Sequence, residues 1–174
     1  MNDQHIRPVA ETDLQVWMQM ERDTFTETFK PVYSTQDLQN FLQEKKNSNT
    51  LKAEWEQKDS FFYILWEGTT AAGFIKLNLH RQPDNGTLLP TPVMELERIY
   101  VRSEFQSKKF GKQLIHFAYK QAAKHFVRTL WLGVWEHNLK ARQFYEKEGF
   151  TAFGEHSFKV GNQVDRDLLL AKLL

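Results

Sequence analysis

The stretch QSKKFGKQL, residues 106–114, places three lysines and one glycine between a predicted strand and a predicted helix. The first N–H groups of a helix lack partners within the helix and lie at the positive end of its dipole, so this position attracts anions. Lys108, Lys109 and Lys112 add positive charge. The pattern is neither a dinucleotide fingerprint nor a Walker loop. It predicts an anion site or, more simply, a lysine-rich helical turn in solvent.

The segments around this loop predict a mixed α/β sheet. VMELERIYV and the nearly continuous apolar run TLWLGVW are typical of strands, whereas GKQLIHFAYKQAAKHF has apolar residues at helical spacing. NLKARQFYEKEGF predicts a short helix that ends at Gly149. Over the whole chain the order is strand, helices, two strands, strand, helix, strand, helix, two strands. We expect about seven strands with helices on both faces.

Local signals fix several element ends. Thr12-Asp13 predicts the N-cap of the first helix, and Ser34 with Asp37 resembles a capping box for the second. Gly161-Asn162 predicts a two-residue hairpin of type II′. The loop RQPDNGTLLPTP is long enough to indicate a functional or mobile segment. A surface loop without a function is an equal alternative.

Length and composition limit the class of protein. The 174 residues fit one domain, residues 1–174, and the 23 basic and 22 acidic side chains give no reason to expect a nucleic-acid or membrane partner. The absence of cysteine excludes a disulfide framework, a thiol nucleophile and a cysteine-ligated metal. The histidines show no spacing that predicts a metal site. Without a signal-peptide pattern or a long apolar run, we expect a soluble cytoplasmic protein.

Two segments resemble the motifs of the GNAT (GCN5-related N-acetyltransferase) family. ERIYVRSEFQSKKFGKQL is similar to a strand followed by the family's Gln/Arg-x-x-Gly-x-Gly/Ala loop, with Gln106 and Gly111 at matching positions. WLGVWEHNLKARQFYEKEGF matches the family's second pattern at Asn138, Ala141, Tyr145, Gly149 and Phe150. Lys109 stands where the family has the first glycine of the loop.

This resemblance implies a GNAT-like acyl-CoA N-acyltransferase fold, acetyl-CoA as the acetyl donor and no metal. It implies that the pyrophosphate lies on the loop's N–H groups and that the pantetheine chain pairs with the strand before it. The residues implied to bind the cofactor are Ile99, Tyr100, Val101, Gln106, Lys108, Lys109, Phe110, Gly111, Lys112, Asn138 and Tyr145.

The segments TFTETF, GFTAFGEHSFKVG and DRDLLLAKL narrow the resemblance. They are similar to the PaiA-type members, which resemble spermidine/spermine N-acetyltransferases in activity. The resemblance implies a small-molecule amine acceptor, a polyamine or a similar alkyl amine, and a monomer or homodimer.

The implied reaction is direct attack of the amine on the thioester in a ternary complex. An alkylammonium has a pKa of ~10.4 and must lose a proton first, so we expect Glu97 to act as the base, with Glu95 on the same strand face. The resemblance makes Tyr145 the acid that protonates the leaving thiolate, and a backbone N–H near Ile99 or Tyr100 the donor to the oxyanion. The alternatives are a solvent-facing Glu97 and a half-buried, purely structural Tyr145.

Two other functions stay open. The acceptor could be an amino acid, an aminoglycoside or a protein N-terminus, or the chain could bind acyl-CoA as a regulator without turnover. Lys109 favours the regulator if it distorts the loop. We expect instead that Lys109 lies in an ordinary helical conformation, because Gly111 preserves the close approach of the backbone.

Several other polar and aromatic residues have two interpretations. Glu21, Glu27, Asp165 and Asp167 could line a channel for a cationic substrate or be plain surface charges. His156 could face the acceptor or be an ordinary strand residue, and Asn138 could cap a helix as well as bind cofactor. Trp131 and Trp135 are four residues apart in a strand and share a face, as core or as the wall of a cleft.

Overall fold

The computed structural model describes residues 4–174, which form a mixed α/β fold with one seven-stranded sheet in the order β1-β2-β3-β4-β5-β7-β6. The predicted fold class is confirmed. The strands are β1 Gln4–Pro8, β2 Ser60–Glu67, β3 Thr70–Leu79, β4 Val93–Val101, β5 Thr129–Trp135, β6 Thr151–Val160 and β7 Gln163–Leu173. The helices are α1 Leu14–Phe29, α2 Thr35–Lys45, α3 Ser48–Trp55, α4 Phe110–Lys124 and α5 Leu139–Lys147. Among these described helices, none is long and apolar enough to cross a bilayer.

The chain divides into two compact units. The first unit comprises Met1–Lys76 and Arg98–Phe117, and the second comprises Leu77–Glu97 and Ala118–Leu174. The boundary therefore falls within β3, β4 and α4. The single domain expected over residues 1–174 stays a prediction.

In the first unit, helices cover both faces of β2. Phe62 packs edge-on against Trp17 of α1, with the ring centres 4.8 Å apart, and belongs to a core that also contains Leu51 of α3. Its neighbour Tyr63 points the other way and meets Phe117 of α4 at 4.7 Å. Alternation along the strand therefore gives each face its own helix.

A buried network of charges also lies in the first unit. Glu21 of α1 is 1% exposed and accepts from the Lys46 ammonium at 2.7 Å and from the Arg98 guanidinium of β4 at 2.8 Å. Arg98 also contacts Glu54 of α3 at 2.9 Å, and Lys76 of β3 reaches the same carboxylate at 2.9 Å. Burial lowers the pKa of the Lys46 ammonium, while Glu21 opposes that effect. The sequence analysis left Glu21 as either a residue of a substrate channel or a plain surface charge. Because Glu21 is buried, the second interpretation is wrong.

In the second unit, β5 is paired on both sides. It runs parallel to β4 at Val93–Glu95 and antiparallel to β7 along its whole length. Val93, Trp131 and Leu169 form a small core on one face of these strands. The β6–β7 hairpin turns at Gly161, whose φ of 59° fits the predicted type II′ turn.

The element ends follow the sequence signals with one exception. The Ser34 hydroxyl accepts from the Asp37 N–H at 3.1 Å, and Gly149 ends α5 with a φ of 87°. Asp13 is the residue before α1, but its side chain makes no capping hydrogen bond to that helix. The carboxylate instead accepts from the Ala10 N–H at 3.0 Å and pairs with Arg7, so it closes the 3-10 turn that precedes α1. The predicted N-cap position is therefore confirmed, but the capping hydrogen bond expected of its side chain is not formed.

The buried network yields a stability prediction. Glu21→Gln removes one of two carboxylates that balance three cations, and we expect it to lower the free energy of unfolding by about 3–5 kcal/mol in urea denaturation. Glu27→Gln changes an exposed carboxylate of the same helix and should stay within about 0.5 kcal/mol of the unmodified protein. Equal effects of the two substitutions would contradict this account of the network.

Candidate active site

The lysine-rich loop of the first unit leads from β4 into α4. After the 3-10 turn Ser103–Phe105, Ser107 and Lys109 both adopt left-handed conformations, with φ of 73° and 63°, and α4 begins at Phe110. The expectation that Lys109 lies in a helical conformation is wrong. The chain must turn from the extended Gln106 into a helix within four residues, and left-handed residues make that turn. Turns of this kind aim successive N–H groups into one concavity, which binds anions.

Gly111 leaves space beside the first turn of α4. A Cβ added there would meet nothing within 4 Å, and its φ is not left-handed, so neither packing nor backbone conformation requires glycine at this position. Close approach of a ligand to the backbone is a remaining reason for a glycine. The loop therefore fits the phosphates of a cofactor such as coenzyme A.

The side chains of the loop differ in what they contact. Lys109 and Lys112 are exposed, whereas the Lys108 ammonium lies 3.1 Å from the Glu67 carboxylate at the end of β2. Phe110 is 1% exposed and packs against Phe105, so only its backbone is accessible to a ligand. Gln106 donates to the Val101 carbonyl at 3.3 Å and ties the loop to the end of β4.

The last residues of β4 are held close to β3. A Cβ added to Gly73 would stand 2.7 Å from the Tyr100 carbonyl oxygen, which is closer than packed atoms allow. The Arg102 N–H continues the contact by donating to the Ala72 carbonyl at 3.0 Å. Gly73 therefore fixes the backbone of Ile99–Val101, where the pantetheine chain is expected.

In the second unit, Glu95 and Glu97 share one hydrogen-bond donor. The side-chain amide of Asn78 donates to Glu95 at 2.7 Å and to Glu97 at 2.6 Å. Both carboxylates are partly buried and lie on one face of β4, as strand alternation predicts. Asn78 is 8% exposed and was missed by the sequence analysis. The available signal was an amide inside the apolar strand GFIKLNL, because a buried amide needs a polar partner.

Tyr145 and Asn138 lie on α5 in the same unit. The Asn138 side chain accepts from the Ala141 N–H at 3.1 Å, so its predicted capping role is confirmed. Tyr145 is 7% exposed and packs edge-on against Phe144 and Phe150, with ring centres 5.3 Å and 5.8 Å apart. The ring is thus buried and oriented. The catalytic role of Tyr145 and the cofactor contacts of both residues stay predictions.

The other sequence candidates in this unit also have defined places. Asp165 is buried and accepts from the indole N–H of Trp135 at 3.2 Å, whereas Trp131 donates to the Arg81 carbonyl at 2.7 Å and belongs to the core. His156 lies 3.2 Å from Asp84 of the loop before β4. That loop is also closed by two hydrogen bonds between the Gln82 side chain and the Leu89 backbone.

Asp167 of β7 is the unusual carboxylate of the unit. Burial raises its pKa to about 6, with His156 opposing the rise and Asp165 adding to it. Neither Asp165 nor Asp167 is a plain surface charge, whereas Glu27 is exposed. Among residues 4–174, no group of three or more histidines and carboxylates is arranged to hold a metal ion.

Comparison with known proteins gives a consistent result. A family model described as "Acetyltransferase (GNAT) family" matches residues 15–150. An uncharacterised N-acetyltransferase of Lactobacillus delbrueckii subsp. lactis is 39% identical over 166 residues, which cover 95% of each chain. A spermidine N(1)-acetyltransferase of Thermoplasma acidophilum is 28% identical over 149 residues, covering 83% of this chain and 86% of that protein.

A solved structure shares the fold. The crystal structure of the PaiA N-acetyltransferase from Thermoplasma acidophilum in complex with coenzyme A superposes with a TM-score of 0.78, covers 99% of both chains and is 24% identical. At that identity the likeness establishes the arrangement of elements.

The left-handed Lys109 gives a testable prediction. Glycine adopts this conformation without the steric strain that a side chain adds, which is about 1 kcal/mol or more. We therefore expect Lys109→Gly to unfold at higher urea concentration than Lys109→Ala. Both variants should bind coenzyme A with the same Kd in calorimetry, because both lose the ammonium and the loop is already in this conformation. Lower stability of the glycine variant would contradict the assigned backbone.

Proposed function

The chain belongs to the GNAT family of acetyl-CoA-dependent N-acetyltransferases, and we propose that its acceptor is a primary amine of a small polyamine, such as spermidine or spermine, or of a similar alkyl amine. The observation that carries the proposal is the pair Glu95 and Glu97, held by one amide on one face of β4. The relationship to the Thermoplasma spermidine N(1)-acetyltransferase supports the same class of acceptor.

The two carboxylates suit a cationic acceptor. Two partly buried negative charges close together attract an ammonium group, and this attraction offsets the unfavourable free energy of its desolvation. The amine must then lose a proton before its lone pair can attack, and Glu97 accepts that proton directly or through a water. Asn78 donates to both side chains and so fixes their positions. Glu95 contributes negative charge next to Glu97.

The loop of the first unit suits the donor. When bound, acetyl-CoA supplies the acetyl thioester. The N–H groups from Lys108 to Lys112 and the start of α4 bind its pyrophosphate, and the ammonium groups of Lys109 and Lys112 add favourable charge. The backbone of Ile99–Val101, fixed by Gly73, pairs with the pantetheine chain like an added strand.

The same backbone and Tyr145 assist the transfer. An N–H at Ile99 or Tyr100 donates to the carbonyl oxygen as negative charge develops on it. The new N–C bond forms as the C–S bond breaks, and the phenol of Tyr145 gives its proton to the sulfur. No covalent bond to the protein is needed. This use of a phenol also distinguishes an enzyme from a regulator that only binds acyl-CoA.

The activity is tested by following free-thiol release from acetyl-CoA with a panel of amines, amino acids and aminoglycosides. We expect turnover with alkyl amines, and we expect Glu97→Gln to lower kcat/KM by about a hundredfold or more through loss of the base. Glu104→Gln, in the exposed 3-10 turn, is the matched control and should leave kcat/KM unchanged. An absence of turnover with every amine, together with no binding of acetyl-CoA, would refute the proposal.

A separate prediction concerns Tyr145, the proposed proton donor to the leaving thiolate. Tyr145→Phe keeps the ring that packs against Phe150 but removes the proton donor. We expect kcat to fall by at least about tenfold while the Kd for acetyl-CoA and the unfolding midpoint change little. The measurements are steady-state kinetics, calorimetry and urea denaturation on the same preparations. An unchanged kcat would remove Tyr145 from the mechanism.

A further inference from the structure

We propose that Asp167 binds a second ammonium group of the acceptor and thereby selects diamines and polyamines over monoamines. The inference rests on the proposed amine acetylation and deepens it, because it names the residue that recognises the part of the acceptor that does not react. It stands on four observations: strand register, the lack of a hydrogen-bonded protein partner, an exposed glycine beside the carboxylate, and distance from Glu97.

Strand register places Asp167 on the face that carries Glu95 and Glu97. Glu95 pairs with Trp131 of β5, and four residues further along β5, Trp135 pairs with Asp167. Paired residues share a face, and residues an even number apart on a strand do so as well. A single face of the second unit therefore presents the proposed base and the Asp167 carboxylate.

The Asp167 carboxylate has no hydrogen-bonded protein partner. Within residues 4–174 its side chain makes neither a hydrogen bond nor an ion pair, although its neighbour Asp165 accepts from both Trp135 and Gln163. A partly buried carboxylate without a partner is unfavourable, because it has lost water without gaining a donor. Apart from the charge interaction with His156, the described residues offer this carboxylate no partner, and an ammonium group of the substrate supplies the missing hydrogen-bond donor.

The carboxylate borders an exposed position of β5. Gly133 lies between the pairs that Trp131 and Trp135 make, and a Cβ added there would stand 3.4 Å from the Asp167 carboxylate oxygen Oδ2. Any larger side chain would lie against the carboxylate at this point. Gly133 is exposed, so the Asp167 carboxylate is accessible from solvent beside this position of β5.

Distance argues that Asp167 does not accept the proton of the reacting amine. Strand β5 lies between β4 and β7, so the backbones of Glu97 and Asp167 are separated by at least two strand spacings, about 10 Å. A base must lie within hydrogen-bond reach of the nitrogen, about 3 Å. An amine held at Glu97 is therefore out of reach of Asp167, whereas a second ammonium several methylene groups away is not.

The groups that face Asp167 make this contact dependent on pH. His156 of β6 pairs with it across the hairpin and itself lies 3.2 Å from Asp84, while Asp165 on the same strand adds negative charge. The pKa of Asp167 is raised to about 6, so the carboxylate is charged above that pH and loses its charge below it. A diamine keeps both ammonium groups in this range, because their pKa is ~10.

The test compares 1,4-diaminobutane with butylamine, two acceptors that differ in the second ammonium. For the unmodified enzyme we expect kcat/KM for the diamine, divided by that for butylamine, to fall severalfold from pH 7.5 to pH 5.5. Taking this ratio cancels groups that act on both amines, including Glu97. At pH 7.5 Asp167→Asn should lower the ratio about ten- to hundredfold, mainly through the KM for the diamine, and abolish its pH dependence.

Glu155→Gln is the matched control. Glu155 is an exposed carboxylate of the same hairpin and pairs with Leu168, so it lies on the opposite face from Asp167. We expect it to leave the ratio unchanged. A ratio near one for the unmodified enzyme at both pH values, or equal losses on both amines in Asp167→Asn, would overturn the role of Asp167 while leaving amine acetylation intact. No turnover with any amine would overturn both proposals.

Discussion

The ion pairs of Arg98 are the interaction on which the first unit depends. The guanidinium contacts carboxylates of α1 and α3, and those carboxylates bind the ammonium groups of Lys46 and Lys76. Because an unpaired buried charge is unfavourable by several kcal/mol, each helix must stay where its carboxylate meets β4. A network of this kind fixes the positions of the helices and of β4 more than it adds net stability. The neighbouring backbone of Ile99–Val101 needs a fixed position to bind a cofactor.

Strand β4 carries both structural charge and proposed reactive charge. Arg98 contacts Glu21 and Glu54 in the buried network of the first unit, while Glu95 and Glu97 accept from the Asn78 amide in the second unit. A buried or partly buried charge is unfavourable unless it is paired or hydrogen-bonded. Each of these side chains therefore depends on the partner that another element supplies.

The lysine-rich loop shows how a family motif can lose a glycine and keep its backbone. Lys109 has the left-handed conformation that a glycine would take most easily, and Gly111 keeps open space beside the helix. The distortion that would favour a regulator without turnover is therefore absent at Lys109. A lysine at this position adds some backbone strain, but it also adds a positive charge next to the proposed phosphate site.

The sequence by itself determined the order of elements, the fold class, the hairpin at Gly161 and the helix caps at Ser34 and Asn138, because periodicity and capping act over a few neighbouring residues. It also placed Glu95 and Glu97 on one face. Only the tertiary structure decided that Glu21 is buried with Arg98, that Asn78 joins the two glutamates, that Lys109 is left-handed, and that Asp167 is partly buried beside His156. These facts depend on which distant segments meet, and desolvation and pairing of charge have no local signature in a sequence.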